Sequence, residues 1–147
     1  MSLKEKLLED MKVAMRDKDI IRKNAIQMVR SAVLQIEKDN RITLADDGII
    51  EVIAKEVKKR KDSLPEYEKS GRQDLIDNLK SEIDVLLQYL PQQLTEEELA
   101  TIVKQAIQET GASSAKDIGK VMQAVLPKVK GRADGKHVNQ IARKMLE

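Results

Sequence analysis

The residues whose types and spacing could do chemistry lie near the C-terminus, in the segment Pro127–Gly135, which reads PKVKGRADG. Two lysines, Lys128 and Lys130, alternate around a valine, so in an extended segment both side chains point to the same side. Two glycines flank Arg132 and allow a partner's backbone to approach closely. Asp134 leads a predicted helix whose first amides attract anions. These features are typical of a phosphate-binding loop.

The same residues fit a structural loop equally well. Gly131 would then form a turn, Asp134 would cap the following helix, and Arg132 would form an ion pair with a neighbouring helix. The residue types alone leave both interpretations open.

Catalytic constellations are nearly absent from the sequence. His137 is the single histidine and there is no cysteine, so the sequence predicts neither a metal site nor a thiol nucleophile. Ser113, His137 and Asp134 contain the groups of a hydrolytic triad, but no nucleophile elbow surrounds any serine. Glycine patterns for nucleotide binding are missing as well. We therefore predict no catalytic residues, no metal and no cofactor.

The composition favours an all-α protein. Charged residues make up 35% of the chain and aromatic residues 1%, while the apolar residues are mostly Leu, Ile, Val, Met and Ala. The net charge is only +2, yet residues 116–147 carry eight basic side chains against three acidic ones. Since no signal core, apolar run of 18 residues or cysteine occurs, we expect a soluble, cytoplasmic protein without a membrane partner.

Apolar spacing and capping signals divide the chain into helices. Ser2-x-x-Glu5, Thr95-x-x-Glu98 and Ser114-x-x-Asp117 have the spacing of helix starts. Pro65 is expected to kink or restart the third helix, and Pro127 is expected to stop the penultimate one. The basic run KKRK at 58–61 is interpreted as an ordinary solvated helix face.

A domain boundary is predicted at Leu90-Pro91, where the charge balance also changes. Residues 1–91 are predicted to form an N-terminal domain, a bundle made of helical hairpins. Residues 92–147 are predicted to form a small C-terminal domain of three short helices.

Four motifs together resemble a known family. They are YLPQQLTEEEL at 89–99, Gly111-Ala112, DIGKVM at 117–122 and GRADG at 131–135. This combination resembles the YqeY family of GatB/YqeY-domain proteins over essentially the whole chain. The C-terminal half is similar to the tail domain of the B subunit of the tRNA-dependent amidotransferase.

The resemblance implies an all-helical fold with a larger N-terminal domain and a three-helix C-terminal one. It also implies a tail that contacts tRNA, and it carries the label of a carbon–nitrogen ligase with glutamine as amido-N-donor. The catalytic domain of that subunit has no counterpart here, so no ligase activity is implied for this chain alone. By resemblance, a tRNA-facing role falls to five motif cations: Lys120, Lys128, Lys130, Arg132 and Lys136.

Two functions follow as hypotheses. The first is a tRNA-binding accessory module, with tRNA and an amidotransferase or another protein as partners. Because the chain has no Phe or Trp to stack on bases, its binding would be led by phosphate contacts. The second is a helical protein-interaction adaptor with no nucleic-acid role, whose hairpins offer grooves to a partner helix. A stand-alone enzyme is the least favoured.

Overall fold

The protein is all-α, as the sequence predicts. A computed structural model describes all 147 residues, which form seven α-helices and a short 3-10 turn at Ala115–Asp117, with no strand. The helices are α1 (Leu3–Arg16), α2 (Ile20–Asn40), α3 (Asp46–Ser70), α4 (Gln73–Leu87), α5 (Glu96–Thr110), α6 (Ile118–Val129) and α7 (Gly135–Met145). No helix has both the length and the apolar content needed to cross a bilayer.

The chain forms two compact units, Met1–Leu90 and Pro91–Glu147. In the N-terminal unit α1 packs on α2, α3 packs on α4, and α2 contacts both α3 and α4. Apolar residues at spacings of three and four along each helix supply a shared core. Its largest fully buried side chains are Leu7, Ile26, Val29, Ile49, Ile53 and Leu86.

A buried charge cluster corrects the interpretation of the KKRK run. Arg60 is only 6% exposed and Glu56 only 4%, so this run is not entirely a solvated face. The Arg60 guanidinium donates to the Glu56 carbonyl oxygen at 2.9 Å, and its Nε lies 3.6 Å from a Glu82 carboxylate oxygen on α4. Buried charges persist only when they are paired, and this pairing ties α3 to α4.

The prediction of a restart at Pro65 is wrong, since α3 runs unbroken from Asp46 to Ser70. Leu64 packs against the core directly before the proline. Pro65 itself is exposed, so its ring faces solvent. Anchoring of the preceding turn offsets the one backbone hydrogen bond that the proline removes.

The C-terminal unit is a three-helix arrangement in which α5, α6 and α7 contact one another. Thr95 and Glu98 form the predicted capping box with both reciprocal hydrogen bonds, and Gly111 ends α5 at a φ of 70°. The Ser114 side chain caps nothing; the Asp117 carboxylate instead accepts from the Ser113 amide at 3.0 Å. Valine and alanine dominate the core: Leu99, Val103, Ala106, Val121, Val125, Val129, Val138, Ala142 and Leu146.

Pro127 does not stop α6, which continues to Val129. Val121, Val125 and Val129 are all buried, one helical turn apart, so core packing carries the helix past the proline. Lys128 is therefore helical, and the expectation of an extended segment that points Lys128 and Lys130 to one side is wrong.

Candidate nucleic-acid interface

The GRADG loop (Gly131–Gly135) is joined to the segment that precedes α5. The Leu94 amide donates to the Arg132 carbonyl oxygen at 2.9 Å. The Gln93 side-chain amide donates to the Gly131 carbonyl oxygen at 2.8 Å. Gly131 adopts a φ of 73°, in the left-handed region that glycine tolerates best. Two of the sequence motifs thus pack against each other within the C-terminal unit.

Arg132 takes part in this junction with its side chain. Its Nε donates to the Gln92 carbonyl oxygen at 3.1 Å, and the residue is half-buried. This hydrogen bond ties the loop to the segment before α5, so the side chain helps to position the loop. The expected ion pair with a neighbouring helix is replaced by a bond to a backbone carbonyl.

The other predicted cations are spread over the unit. Lys128 lies 3.6 Å from a Glu109 carboxylate oxygen on α5. Lys120 is exposed at the start of α6; the Ser113 amide and, after it, the Lys120 charge hold the pKa of Asp117 below its usual range. Lys130 is exposed at the end of α6. Because both partners of the Lys128–Glu109 pair are about half-exposed, this pair contributes little and competes only weakly with a phosphate.

The amino end of α7 is already supplied with carboxylates. Asp134 accepts from the Lys136 amide at 3.0 Å, as the predicted cap requires. The Glu96 carboxylate contacts the His137 ring nitrogen. These two acids lower the anion affinity of the helix start, which opposes a phosphate bound at its amides.

A basic face along α7 is better placed to meet an anion. Lys136, Gln140, Arg143 and Lys144 are exposed and have helical spacing, while Val138 and Ala142 on the other side are buried. No acidic residue occurs between Gly135 and Met145. We call these four exposed residues the α7 face.

Arg143 and Lys144 were absent from the predicted site residues. Their signal in the sequence was the spacing of seven and eight residues after Lys136 on a helix without acids. No three His, Asp or Glu side chains cluster in a way that could hold a metal ion.

Comparison with known proteins places the chain in a family. The model of the YqeY-like protein family matches residues 4–146. The chain belongs to the YqeY family. Four motifs had indicated this membership, and the match confirms it.

Fungal proteins are among the relatives of this YqeY-family chain. A Pyrenophora tritici-repentis protein named "Altered inheritance of mitochondria protein 41, mitochondrial" is 31% identical over 140 residues, covering 92% of this chain and 76% of its own length. A Kluyveromyces lactis protein of the same name is 36% identical over 102 residues, covering 67% of this chain and 55% of its own length. This match thus spans only about half of that relative.

These names correct one prediction. A cytoplasmic location was expected from the sequence, yet both relatives are named as mitochondrial proteins. The prediction of a cytoplasmic location is contradicted by this finding.

Tyr89, the first residue of the first family motif, is buried in the N-terminal unit. It is 9% exposed, and its hydroxyl donates to an Asp10 carboxylate oxygen on α1 at 2.5 Å. The Lys6 ammonium lies 5.7 Å from the ring centroid. Burial, followed by the hydrogen bond to Asp10, raises the pKa of Tyr89 well above its usual range. The side chain therefore stays neutral and fastens the end of α4 to α1.

Proposed function

We propose that the C-terminal unit binds tRNA as an accessory module related to the glutamine-dependent tRNA amidotransferase. The single observation that carries the proposal is the α7 face, three exposed cations on a helix without an acid. The similarity of residues 92–147 to an amidotransferase tail domain supports tRNA as the class of ligand.

The composition favours contacts to phosphates over contacts to bases. The chain has no Phe or Trp, and its two tyrosines, Tyr67 and Tyr89, lie in the N-terminal unit. The C-terminal unit therefore has no Phe, Tyr or Trp ring on which unpaired bases could stack. Contacts to the RNA backbone depend on shape and charge, so affinity should differ little between tRNA species.

The cations divide into two roles in this proposal. Lys136, Arg143 and Lys144 contact phosphates directly; Arg143 stays exposed although its Nε donates to the Asn139 side-chain oxygen at 2.7 Å. Lys120 and Lys130 lie outside α7 and add to the positive charge of the unit. Arg132 acts through the fold, since its Nε bonds to the Gln92 carbonyl oxygen. Lys128 is half-exposed beside Glu109 and adds to the positive charge of the unit. No catalytic step is assigned to this chain; any amide transfer belongs to a partner enzyme.

The test is an anisotropy titration of fluorescent bulk tRNA with the full chain at low and at physiological salt. The wild type should bind saturably, with a logarithm of the affinity that falls linearly with the logarithm of salt concentration. The triple variant Lys136→Ala/Arg143→Ala/Lys144→Ala should bind about tenfold more weakly or worse, with a salt slope smaller by about 2.

A matched control removes three exposed lysines from the other unit, Lys61→Ala/Lys69→Ala/Lys80→Ala, with the same change in net charge. If affinity depends on the α7 face, this control binds as tightly as the wild type. Equal weakening by both triple variants would mean that tRNA affinity depends on the net charge of the protein and not on the α7 face. An absence of binding at low salt would reject the tRNA module and leave the adaptor hypothesis.

A further inference from the structure

Two apolar side chains are exposed side by side where α1 turns into α2. Met15 is 55% exposed and Ile20 is 66% exposed. Together they border an open depression of about 320 Å³, lined by Ala14, Met15, Lys18, Asp19, Ile20 and Lys23. A second depression, of about 400 Å³, borders Met15 on its other side and is lined by Glu9, Lys12, Met15 and Arg16.

The turn that presents these side chains is tightly bonded. The Asp19 amide donates to the Ala14 carbonyl oxygen at 2.9 Å, and the Asp19 carboxylate accepts from the Arg22 amide at 3.2 Å. Lys18 is held at a φ of 57°, an uncommon conformation for a residue with a side chain. The backbone at Met15 and Ile20 is thus held in place, which lowers the entropy cost of ordering this turn when a partner binds.

The side chains around this turn are more often basic than acidic. The residues that line the two depressions include four cations, Lys12, Arg16, Lys18 and Lys23, and two acids, Glu9 and Asp19. Asp19 is already paired with Arg22, at 3.5 Å. We call Met15, Ile20 and the surrounding cations Lys12, Arg16, Lys18 and Lys23 the Met15 surface.

We propose that the Met15 surface docks an acidic amphipathic helix of a partner protein. An apolar side chain of that helix fills the depression between Met15 and Ile20, and its flanking carboxylates pair with the surrounding lysines. Helix-in-groove recognition uses apolar anchors at helical spacing, and rim charges that complement the partner select it and steer its approach. The surface lies entirely within the N-terminal unit, so this inference is independent of tRNA binding.

Two other anionic partners fit the surface less well. An anionic bilayer would bring its phosphates against the carboxylates of Glu9 and Asp19, which line the two open depressions. Nucleic acid gains little from Met15 and Ile20, because these side chains offer no aromatic ring for stacking. A protein helix can instead place a side chain into the depression and keep its own carboxylates away from the two acids.

The experiment uses the full chain and a designed, fluorescently labelled helical peptide of about 18 residues, with a leucine stripe flanked by glutamates. We expect saturable binding that weakens with added salt, and amide chemical-shift changes confined to residues 9–23 and their neighbours. Met15→Ser/Ile20→Ser should weaken binding about tenfold or more, since both side chains are exposed and the fold does not depend on them.

The matched control, Leu34→Ser/Ile42→Ser, removes two apolar side chains elsewhere in the unit that are 56% and 49% exposed, and it should bind like the wild type. The same peptide with glutamines in place of glutamates should bind more weakly. Failure of the glutamate peptide to bind, or equal binding by Met15→Ser/Ile20→Ser, would overturn the proposal. Stronger association with vesicles of phosphatidylcholine and phosphatidylglycerol than with the peptide would reassign the surface to lipid.

Discussion

Arg132 illustrates how a residue with the chemistry of a ligand can serve the fold. Its Nε donor is bonded to the Gln92 carbonyl oxygen, and its own backbone bonds to Leu94 and Val129. Truncation should leave a loop that is no longer fastened to the segment before α5. We expect Arg132→Ala to lower the free energy of unfolding of the C-terminal unit by about 1–2 kcal/mol.

Amide hydrogen exchange measures this directly, because the Leu94 amide bonds to the Arg132 carbonyl and should exchange faster in the variant. Lys144→Ala is the control: it removes one exposed cation and should change the free energy by less than about 0.5 kcal/mol. Unchanged exchange at Leu94 in Arg132→Ala would return Arg132 to the list of available phosphate ligands.

Glu37 makes the stability of the N-terminal unit depend on pH. Its carboxylate accepts from the Lys4 ammonium at 2.6 Å and from the Leu44 amide at 2.8 Å, joining α1, α2 and the following loop. The hydrogen bond from Lys4 first, and that from Leu44 second, hold the pKa of Glu37 below its usual range. A lowered folded-state pKa adds stability above the unfolded pKa of about 4.3.

That stability is lost as the pH falls from about 4.3 through the folded-state pKa. Glu37→Gln should therefore be less stable than the wild type at neutral pH and lose less stability on acidification to about pH 3. Urea unfolding, followed by circular dichroism at both pH values, measures how much stability each protein loses on acidification. Glu66→Gln removes an exposed carboxylate and serves as the control; an identical pH dependence in Glu37→Gln and the wild type would contradict the assignment.

Local contacts at the residue scale were predictable, and distant ones were not. Thr95 with Glu98, and Asp134 with the start of α7, are pairs three or fewer residues apart, and their side-chain chemistry alone predicts the bond. Gln92 and Arg132 are 40 residues apart. Their contact exists only because α5, α6 and α7 pack together, which no spacing rule encodes.

At the scale of elements, apolar periodicity predicted the helices, whereas the rule for proline predicted helix breaks that the structure does not have. The rule that proline ends a helix considers only the local backbone. In α6 the burial of Val129, one turn after Val125, favours continuation past Pro127. In α3 the packed Leu64 and the buried Arg60 anchor the turns before Pro65. Tertiary packing thus outweighs the local cost of both prolines.

The cost of Pro65 is still present in α3 and can be measured. Because the residue is exposed and lies inside a continuous helix, Pro65→Ala restores a backbone donor without disturbing the core. We expect the variant to raise the free energy of unfolding by about 1–3 kcal/mol in urea titrations. The neighbouring exposed Glu66→Ala should change it by less than about 0.5 kcal/mol. A destabilised Pro65→Ala would mean that the proline stabilises the native geometry.

At the scale of the whole molecule, the chain has two units whose hydrophobic cores differ in size and composition. The N-terminal unit has a core of Leu, Ile and Val side chains drawn from α1 to α4, together with the buried Arg60 cluster. The C-terminal unit has a smaller core, mostly Val and Ala, in 57 residues. Since stability grows with the apolar area buried, the two cores should not be equally stable.

We therefore propose that each unit is a domain, and predict that residues 1–90 and 91–147 fold as separate fragments with different thermal midpoints. The N-terminal fragment should keep a cooperative transition close to that of its counterpart in the full chain. The C-terminal fragment should melt at a lower temperature, because a single core of this size supplies only about 3–5 kcal/mol. Calorimetry of the full chain and of both fragments measures the midpoints. One shared transition in the full chain, with neither fragment folded alone, would show instead that the two cores form one cooperative unit.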